Sequence, residues 1–408
     1  MTATSSGGEG RVLRLSSIGV LLAYVVLDLV LPLPAQQAGP ANSDVHAENI
    51  PRLIPRTRAE REQRFVAQHR VILNVRVADA SGAPQTGLTQ SDFSLYDNDE
   101  LRPLVSFRAV NGNSGAAHII LVIDAVNNYT KQLRYFTKEI EKFLKTGSGP
   151  LPVPLAIGVF SGYSIEVGSS SRDRDALLSE LASRIANLRA SGCIAQGEQS
   201  ARMNAPFSPG GMGSARAESP QELTCKNDRF VYSINALSQL ARKEVDVPGR
   251  LVLIWLGQGW PMLTDRAFAP DPPDLKENFF VQLVSLSMLL REAQITVDAV
   301  GSPDDSINPE TPNVRDTVFF GGVTDADQVS AAHFGLHVFA HQTGGKIVRE
   351  LKDVAGQLGA CMAEAESYYV LSFDPPPAAN FGEYHSLAVR VNQPGLDVST
   401  NSLYYAEQ

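Results

Sequence analysis

From residue 117 onward the chain alternates short apolar segments with amphipathic segments of helical period, and this alternation restricts the fold more than any other feature. Four segments are apolar almost throughout and predict strands covered on both faces: His118–Asp124, Leu155–Phe160, Leu251–Leu256 and Ile295–Val300. Helical spacing of apolar residues predicts the intervening helices, as at Leu133, Phe136, Ile140 and Phe143, at Leu177, Leu181, Ile185 and Leu188, and at Phe230, Ile234, Leu237 and Ala241. The pattern predicts an α/β fold with a doubly wound, mostly parallel sheet, whose ligands bind outside the carboxyl ends of the strands.

The later part of this region continues the same alternation. We expect helices over Phe279–Ala293, Val329–Gln342 and Val348–Ala365, followed by a strand over Tyr368–Phe373. The α/β domain is therefore assigned to residues 115–375.

Both flanks of the α/β region alternate with a period of two. In the first flank Val71, Leu73, Val75 and Val77 share one face, with Asn74 and Arg76 opposite, which predicts a half-buried strand. Further strands are expected near Phe93–Tyr96 and Leu104–Ala109, and the tail alternates through Leu387, Val389, Val391, Leu396 and Val398. Because a β unit of this size buries little alone, we expect residues 70–112 and 376–408 to pack together as one small unit.

The first 35 residues have the composition of an export signal. Arg11 and Arg14 precede an apolar stretch, Ile18–Leu31, and Leu33-Pro34-Ala35 resembles a cleavage site. Asp28 interrupts the apolar stretch, and a carboxylate at a bilayer centre costs ~2.5–3.5 kcal/mol, which favours a cleaved signal over a retained membrane anchor. Either alternative, with residues 36–69 as a linker, predicts a secreted or periplasmic protein.

Cysteine usage agrees with an oxidising compartment. Cys193 and Cys225 bracket a segment rich in Gly, Ser, Pro and Ala, and we expect them to form a disulfide rather than remain buried thiols. Cys361 lies in a helical segment and is expected to be a small buried apolar residue.

The charge balance restricts the class of partner. The chain has 35 Lys and Arg against 44 Asp and Glu, a formal net charge of −9. Sequence-independent binding of nucleic acid needs clustered cations that release counterions. We therefore expect a protein or cell-envelope partner and no nucleic acid; a membrane contact would require that the signal segment be retained.

Short motifs at both ends of the chain carry a family resemblance. The leading motifs are Val75-Arg76-Val77-Ala78-Asp79 with Gly82, Gly87-Leu88-Thr89, Asp92-Phe93 and Val105-Ser106-Phe107, and the closing ones are Thr343-Gly344-Gly345 and Tyr368-Tyr369-Val370-Leu371-Ser372-Phe373. Over roughly residues 70–408 the chain resembles the von Willebrand factor type A-related proteins abundant in acidobacteria, although Leu403-Tyr404-Tyr405 replaces a glycine-tyrosine pair in the last motif. The resemblance implies a von Willebrand type A fold that serves as an interaction module rather than an enzyme.

The same resemblance implies a possible metal-ion-dependent adhesion site, which this sequence only partly keeps. In such sites an Asp-x-Ser-x-Ser motif, a threonine and a second aspartate hold Mg²⁺ with hard oxygen ligands. Here Asp124 keeps the first position, whereas Val126 and Asn128 replace the serines. Gly192-Cys193 stands where the threonine is expected, and Gly257-Gln258-Gly259-Trp260 follows the strand that should supply the second aspartate. The expectation is no cofactor, with Asp124 bonding loop backbone; the alternative is a Mg²⁺-dependent adhesion domain using Asp124.

A metal-free binding face is expected at the carboxyl ends of the strands. Its candidate residues follow the predicted strands: Asp124, Asn127, Asn128, Tyr129, Ser161, Tyr163, Gln258 and Trp260. Aromatic and amide side chains suit protein recognition. The family resemblance also implies that the long insertions Cys193–Cys225 and Ser302–Gln328 lie on the same side. The competing interpretation packs Trp260 into the core against Pro261.

Catalytic patterns are weak in this sequence. Gly158-Val159-Phe160-Ser161-Gly162 places its serine one position late for a nucleophile elbow. His333, His337 and His341 recur every four residues on a predicted helix, but without the glutamate of a zinc-protease motif, so we expect a non-ligating row. We therefore predict an exported, non-enzymatic interaction module; a hydrolase is the least favoured alternative.

Overall fold

The elements predicted from residue 117 onward form in the computed structural model of the chain. The structure describes residues 70–111, 117–194, 219–261, 273–301, 319–349 and 352–406, without the side chains of residues 273–275. All of these belong to one unit, Thr57–Gln408. The predicted signal (1–35) and linker (36–69), the middle of the cysteine-bounded insertion and most of the Ser302–Gln328 insertion lie outside the described residues.

The described residues contain strands and helices in the following order. The strands are β1 Val71–Ala78, β2 Phe93–Asp97, β3 Glu100–Arg102, β4 Ser106–Asn111, β5 Ala117–Asp124, β6 Leu155–Phe160, β7 Ile165–Val167, β8 Arg250–Leu256, β9 Ile295–Val300, β10 Ile347–Val348, β11 Ser367–Phe373, β12 Glu383–Val391, β13 Asp397–Ser399 and β14 Leu403–Ala406. The helices are α1 Thr130–Lys145, α2 Arg174–Ile185, α3 Pro220–Glu244, α4 Pro273–Glu292, α5 Leu336–Gln342 and α6 Val354–Glu366. Among these helices and the other described residues, none is both long and apolar enough to cross a membrane.

Six strands form the central sheet in the order β10-β9-β8-β5-β6-β7. All neighbouring pairs are parallel except β6 and β7. Alternate residues of β5 and β8 share a core with α1, α2 and α6 on one face of the sheet, while α4 and α5 contact β9 and α3 packs against α4. Because helices cover both faces, the strands are apolar throughout. The predicted α/β fold with a mostly parallel, doubly wound sheet is confirmed.

The terminal strands form two four-stranded antiparallel sheets. Their orders are β13-β1-β11-β4 and β14-β12-β2-β3. Apolar residues of both sheets share one core, with Leu73 and Leu371 from the first sheet and Leu95 and Leu387 from the second. Strands from before and after the α/β region thus form one β sandwich. Each sheet has an apolar face that would be exposed if the sheet stood alone, and the two faces bury each other.

The strand β11 corrects one sequence expectation. We expected Tyr368–Phe373 to continue the parallel sheet, but it pairs antiparallel with β1 and β4 inside the sandwich. It follows α6 directly, since the helix ends at Glu366 and the strand begins at Ser367. An apolar strand that is covered on both sides looks the same in sequence whether its neighbours are parallel or antiparallel.

The burial of strand β1 also differs from its prediction. Its apolar face lies in the sandwich core as expected, but Asn74 and Arg76 on the opposite face are buried as well. The Arg76 guanidinium donates to Glu364 Oε2 at 2.6 Å, to Ser399 Oγ at 3.1 Å and to the backbone carbonyl of Gly344. Glu364 also pairs with Lys346, and Asp298 Oδ1 lies 3.8 Å from Arg76 Nη1. These charges fasten the sandwich to the α/β layer.

Replacing Arg76 by methionine tests this connection. Because Arg76→Met takes from the buried Glu364 carboxylate the guanidinium that donates to its Oε2, we expect the free energy of unfolding to fall by about 3–5 kcal/mol. The matched control is Arg70→Met, which breaks the ion pair of Arg70 with Asp374, where both side chains are one-third exposed (33%); there we expect a loss below about 1 kcal/mol. Urea unfolding measures both, and equal losses would contradict the argument.

Candidate functional site

The loops that follow β5, β6 and β8 meet at the carboxyl edge of the central sheet. The backbone N–H of Ala125 donates to the carbonyl of Phe160 at 2.8 Å, and the N–H of Ser191 donates to the carbonyl of Ala125 at 2.9 Å. On the other side, the N–H of Gly257 donates to the carbonyl of Val300 at 3.0 Å. Since parallel strands all end at this edge, the candidate residues after the three strands are brought together as expected.

Asp124, the last residue of β5, is completely buried and accepts four hydrogen bonds. Its Oδ1 accepts from the backbone N–H groups of Val126 (2.9 Å) and Asn127 (2.8 Å). Its Oδ2 accepts from Asn127 Nδ2 and from the indole Nε1 of Trp255, both at 2.8 Å. Burial raises the pKa of the Asp124 carboxyl above its usual value, and the bonds from Asn127 and Trp255 oppose that shift.

Asn128 ties the loop after β5 to the end of β8. Its Nδ2 donates to the carbonyls of Asp124 (2.8 Å) and Leu256 (3.0 Å), and its Oδ1 accepts from the N–H of Gln258 at 3.1 Å. Gln258 Nε2 donates in turn to the carbonyl of Asn127 at 2.7 Å. A Cβ atom at Gly257 would lie 2.8 Å from Asn128 Nδ2, so the close approach requires glycine there. The two loops therefore behave as one rigid piece.

Four of the predicted binding-face residues are corrected by their burial. Asp124, Asn127, Asn128 and Trp260 lie at the expected edge of the sheet but are buried beneath other side chains. Trp260 packs edge-on against Trp255, with ring centroids 5.5 Å apart, and also contacts Phe339. Asp124 and Asn128 are buried where they bond loop backbone groups. The Asn127 amide is buried where it donates to the Asp124 carboxylate and to the Ser233 hydroxyl, and Trp260 is part of the core. They hold the edge in shape and offer no surface to a partner.

The other predicted residues lie at the surface of the same edge. Tyr163 is 68% exposed and Tyr129 is 45% exposed, Ser161 is exposed and Gln258 is half-buried. Gln258 Oε1 accepts from Gln132 Nε2 at 3.3 Å, and Gln132 Oε1 accepts from the N–H of Tyr129 at 2.9 Å. The buried network thus extends outward and fixes the start of α1, where Tyr129 is the N-terminal capping residue.

Helix α3 contributes two surface residues that the sequence argument missed. Tyr232 donates from its hydroxyl to the Tyr163 hydroxyl at 3.4 Å, and the two rings pack edge to face with centroids 4.4 Å apart. Arg229 Nε donates to Asn127 Oδ1 at 3.2 Å. Cys225, Arg229 and Tyr232 are four and three residues apart, so helical spacing places them on one face. That spacing is visible in the sequence beside the apolar stripe of the same helix.

These residues define a surface that we name the tyrosine rim: Tyr129, Tyr163, Arg229 and Tyr232. The bond to Tyr163 is the main cause that raises the pKa of Tyr232 to about 12, with burial adding to it. Burial lowers the pKa of the Arg229 guanidinium, while the neighbouring Asp124 and Tyr129 favour its charged form. The rim therefore combines three phenol rings with the guanidinium of Arg229.

The predicted disulfide is confirmed beside the tyrosine rim. Cys193 and Cys225 are bonded, with Cα atoms 5.9 Å apart, and Cys225 precedes Arg229 by one turn of α3. Cys361 is a free, buried thiol whose pKa is raised by burial. The bridge fastens α3 to the segment that follows α2.

Mg²⁺ does not fit the residues around Asp124. Both carboxylate oxygens already accept two hydrogen bonds each, and the amide nitrogen of Asn128 donates to the backbone carbonyls of Asp124 and Leu256. Val126 has no ligand atom, and within the described residues no group of three His, Cys, Asp or Glu side chains is placed to hold a metal ion. An octahedral cation needs oxygen lone pairs that this arrangement has already used.

The histidine row does not form one helix. The expected helix Val329–Gln342 is interrupted, with a 3₁₀ turn at Ala331–Phe334, a break at Gly335 and then α5. His333 packs edge-on against Phe319, and His341 stacks on Phe320 with centroids 4.4 Å apart. Burial lowers the pKa of both imidazoles. Both rings contact phenylalanine, which suits neutral imidazoles; His333 is buried, whereas His341 is exposed.

Comparison with known proteins adds only weak structural similarity. No family model and no curated protein matches the chain. Among solved structures, the ArnB paralog VWA2 from Sulfolobus acidocaldarius is 7% identical over 81% of this chain and 76% of its own, with a TM-score of 0.26. A von Willebrand factor type A protein from Catenulispora acidiphila is 12% identical over 77% and 73%, with a TM-score of 0.20. Proximal thread matrix protein 1 from the mussel byssus is 12% identical over 64% of this chain and 49% of its own, with a TM-score of 0.28.

The structural neighbours thus include von Willebrand type A proteins, at low identity. This chain spans only about half the length of the mussel protein. At these TM-scores the similarities are too weak to support an argument, and the fold rests on the strand order and helix placement of the chain itself.

Replacing Asp124 by asparagine tests the buried network. An amide offers one acceptor oxygen, so in Asp124→Asn two of the four donors face an NH₂ group, and we expect a loss of about 3 kcal/mol in the free energy of unfolding. Asp173→Asn is the matched control, because Asp173 caps α2 by accepting from the N–H groups of Asp175 and Ala176 and asparagine caps equally well. Magnesium or chelator should leave the melting temperature of the wild type unchanged; stabilisation by Mg²⁺ that disappears in Asp124→Asn would restore the metal interpretation.

Removing the disulfide should loosen the tyrosine rim. The bonded cysteines are 32 residues apart, and loop-closure entropy predicts a loss of roughly 3–4 kcal/mol in Cys193→Ser under oxidising conditions. Reductant should lower the melting temperature of the wild type and leave that of Cys193→Ser unchanged. Thiol counting in denaturant should find the single thiol of Cys361 in the wild type; a count of three would contradict the bridge.

Proposed function

We propose that this protein is an exported, non-enzymatic interaction module that binds a protein or cell-envelope partner through the tyrosine rim. The observation that carries the proposal is the pair Tyr163 and Tyr232, whose rings are exposed or half-buried and yet held in a fixed mutual geometry at the carboxyl edge of the sheet. Exposed aromatic rings beside an arginine have the composition of binding hot spots. Tyr129 and Arg229 extend the same surface.

The rim differs from an incidental group of surface tyrosines because buried hydrogen bonds and the disulfide hold its residues in place. Asn127 bonds both the buried Asp124 carboxylate and Arg229, and the Cys193–Cys225 bridge holds the helix that carries Arg229 and Tyr232. A binding surface that is rigid before contact loses little conformational freedom on association. This support favours recognition of a structured partner.

Export is part of the proposal and rests on two features. The disulfide is stable in an oxidising compartment, and the first 35 residues have the composition of a signal peptide. Secretion and residence in the periplasm are both consistent with these features. The relationship to the acidobacterial von Willebrand type A-related proteins likewise remains a prediction from the sequence motifs.

Site-specific photo-cross-linking tests the proposal. We expect benzoylphenylalanine at Tyr163 to capture a partner from envelope extract under ultraviolet light, whereas the same residue at Leu101, which is 65% exposed, should not. With the captured partner purified, Tyr163→Ala and Tyr129→Ala should each raise its Kd roughly tenfold, the cost of losing about 1.4 kcal/mol from a hot spot.

The controls separate this proposal from its alternatives. Leu101→Ala should leave the Kd unchanged, and so should chelator. Capture only at Leu101, or an unchanged Kd in both tyrosine variants, would refute binding through the rim. A Kd that rises on chelation would favour the Mg²⁺-dependent alternative instead.

A further inference from the structure

Helix α1 presents a line of positively charged side chains to solvent. Its apolar residues, such as Phe136 and Ile140, are buried in the core. Since an α-helix turns by about 100° per residue, the direction opposite to this buried face is occupied by five exposed cations: Lys131, Arg134, Lys138, Lys142 and Lys145. We name them the basic stripe. At about 1.5 Å per residue they extend over about 21 Å of the helix, and none of them belongs to the tyrosine rim.

Carboxylates pair with the C-terminal part of the stripe and leave its N-terminal part free. Lys142 Nζ lies 3.2 Å from Asp353 Oδ1 and 3.8 Å from Glu139 Oε2, and Lys145 Nζ lies 2.5 Å from Glu141 Oε1. Within the described residues, three cations of the stripe form no hydrogen bond or ion pair through their side chains: Lys131, Arg134 and Lys138. Charged donors at one end of a fixed helix face are therefore open to a partner.

The arrangement of these cations is unfavourable for the helix itself. Lys131 lies in the first turn, where the helix dipole is positive and where α1 has no acidic residue to compensate it. Arg134 and Lys138 are neighbours at i and i+4, as are Lys138 and Lys142, and like charges at this spacing repel each other. A local conflict that folding does not explain is typical of a functional site. An anionic group bound along the stripe would relieve each of these conflicts.

The surroundings of the stripe favour a narrow partner. Helices α2 and α6, which contact α1, have short side chains at several exposed positions, among them Ser179 and Ser183 on α2 and Ala360 and Ala363 on α6. The long basic side chains are therefore not covered from the sides. The N-terminal ends of the same two helices carry exposed carboxylates: Asp173, Asp175 and Asp353. A broad anionic surface such as a lipid bilayer would meet these carboxylates as well, whereas a narrow segment would meet mainly the cations.

We propose that the basic stripe binds an acidic helix of a partner protein. Carboxylates three and four residues apart on such a helix repeat the steps of about 4.5 and 6 Å that separate the cations along α1. The guanidinium of Arg134 offers two parallel N–H groups to one carboxylate, and Lys131 and Lys138 each offer an ammonium group to its neighbours. The net charge of −9 gives an acidic partner no long-range attraction, so its recognition depends on the stripe itself. This site is additional to the tyrosine rim and does not depend on it.

Blocked helical peptides test this proposal with the full chain. An alanine-rich peptide with glutamates at alternating steps of three and four residues should bind in a fluorescence-anisotropy titration at low ionic strength, whereas the matched glutamine peptide should not. In the triple variant Lys131→Gln, Arg134→Gln, Lys138→Gln we expect the Kd of the glutamate peptide to rise roughly tenfold, about twofold for each cation. The melting temperature of this variant should equal or exceed that of the wild type, because the repulsion within α1 is removed.

A matched variant removes three exposed cations elsewhere. The triple variant Arg108→Gln, Arg242→Gln, Lys243→Gln, at exposed positions of β4 and α3, has the same net charge as the stripe variant and should keep the Kd of the wild type. Equal weakening in both variants would mean that the peptide responds only to net charge and would overturn the proposal. A lower melting temperature of the stripe variant would overturn it as well, because the cations would then serve the fold.

The form of the anion is tested separately. A peptide with the same glutamates in one uninterrupted run should bind more weakly, and equal binding would refute recognition of a helical line of carboxylates. Binding of phosphatidylglycerol vesicles or of an alginate oligosaccharide without binding of the glutamate peptide would assign the stripe to a lipid surface or a polysaccharide and refute a protein partner.

Discussion

The completely buried carboxylate of Asp124 determines how the carboxyl edge of the central sheet is built. A carboxylate taken out of water loses its hydration, and the loss is recovered only where donors surround it. Asp124 receives four, from two backbone N–H groups, the Asn127 amide and the Trp255 indole. Those donors belong to β8 and to the loop after β5. Satisfying one charge therefore fixes the relative position of two neighbouring strand ends.

The same bonds hold the loops of this edge against one another. The family resemblance of the sequence predicts a different arrangement, in which oxygen ligands gather around Mg²⁺. At the positions that the resemblance aligns with such ligands, Val126 bonds Asp124 through its backbone N–H, and the amide of Asn128 joins the carbonyls of two strand ends. The tyrosine rim lies at the surface of this network.

Sequence periodicity predicted this fold well where burial is a local property. Strands β5, β6, β8 and β9 are apolar because both sheet faces are covered, and the pattern is visible in any one of them. The pairing of β11 was not predictable in this way, because strand partners are chosen by tertiary packing. The burial of Arg76 had no local signal either, since its counterions, Glu364 and Asp298, lie far along the chain.

The candidate site shows the same division between local and tertiary information. The order of strands correctly placed Asp124, Tyr129, Tyr163 and Trp260 at one edge, because parallel strands end together. Whether each side chain faces inward or outward depends on hydrogen bonds across that edge. Asn127 and Asn128 carry short amides that became buried, the first bonding the Asp124 carboxylate and the second bonding backbone carbonyls, whereas the longer tyrosines lie at the surface.

The position of Tyr163 links rigidity to recognition. A free surface tyrosine must give up rotamer freedom when a partner immobilises it, at a cost of roughly 0.5–1.5 kcal/mol for each such side chain. Tyr163 already contacts Tyr232, which is carried by a helix that the disulfide and Arg229 hold against the buried network. Most of that freedom is therefore lost during folding rather than during binding. Because tyrosine also keeps a hydroxyl at its tip, the proposed contact through the rim would bury apolar area and still satisfy a polar group of a partner.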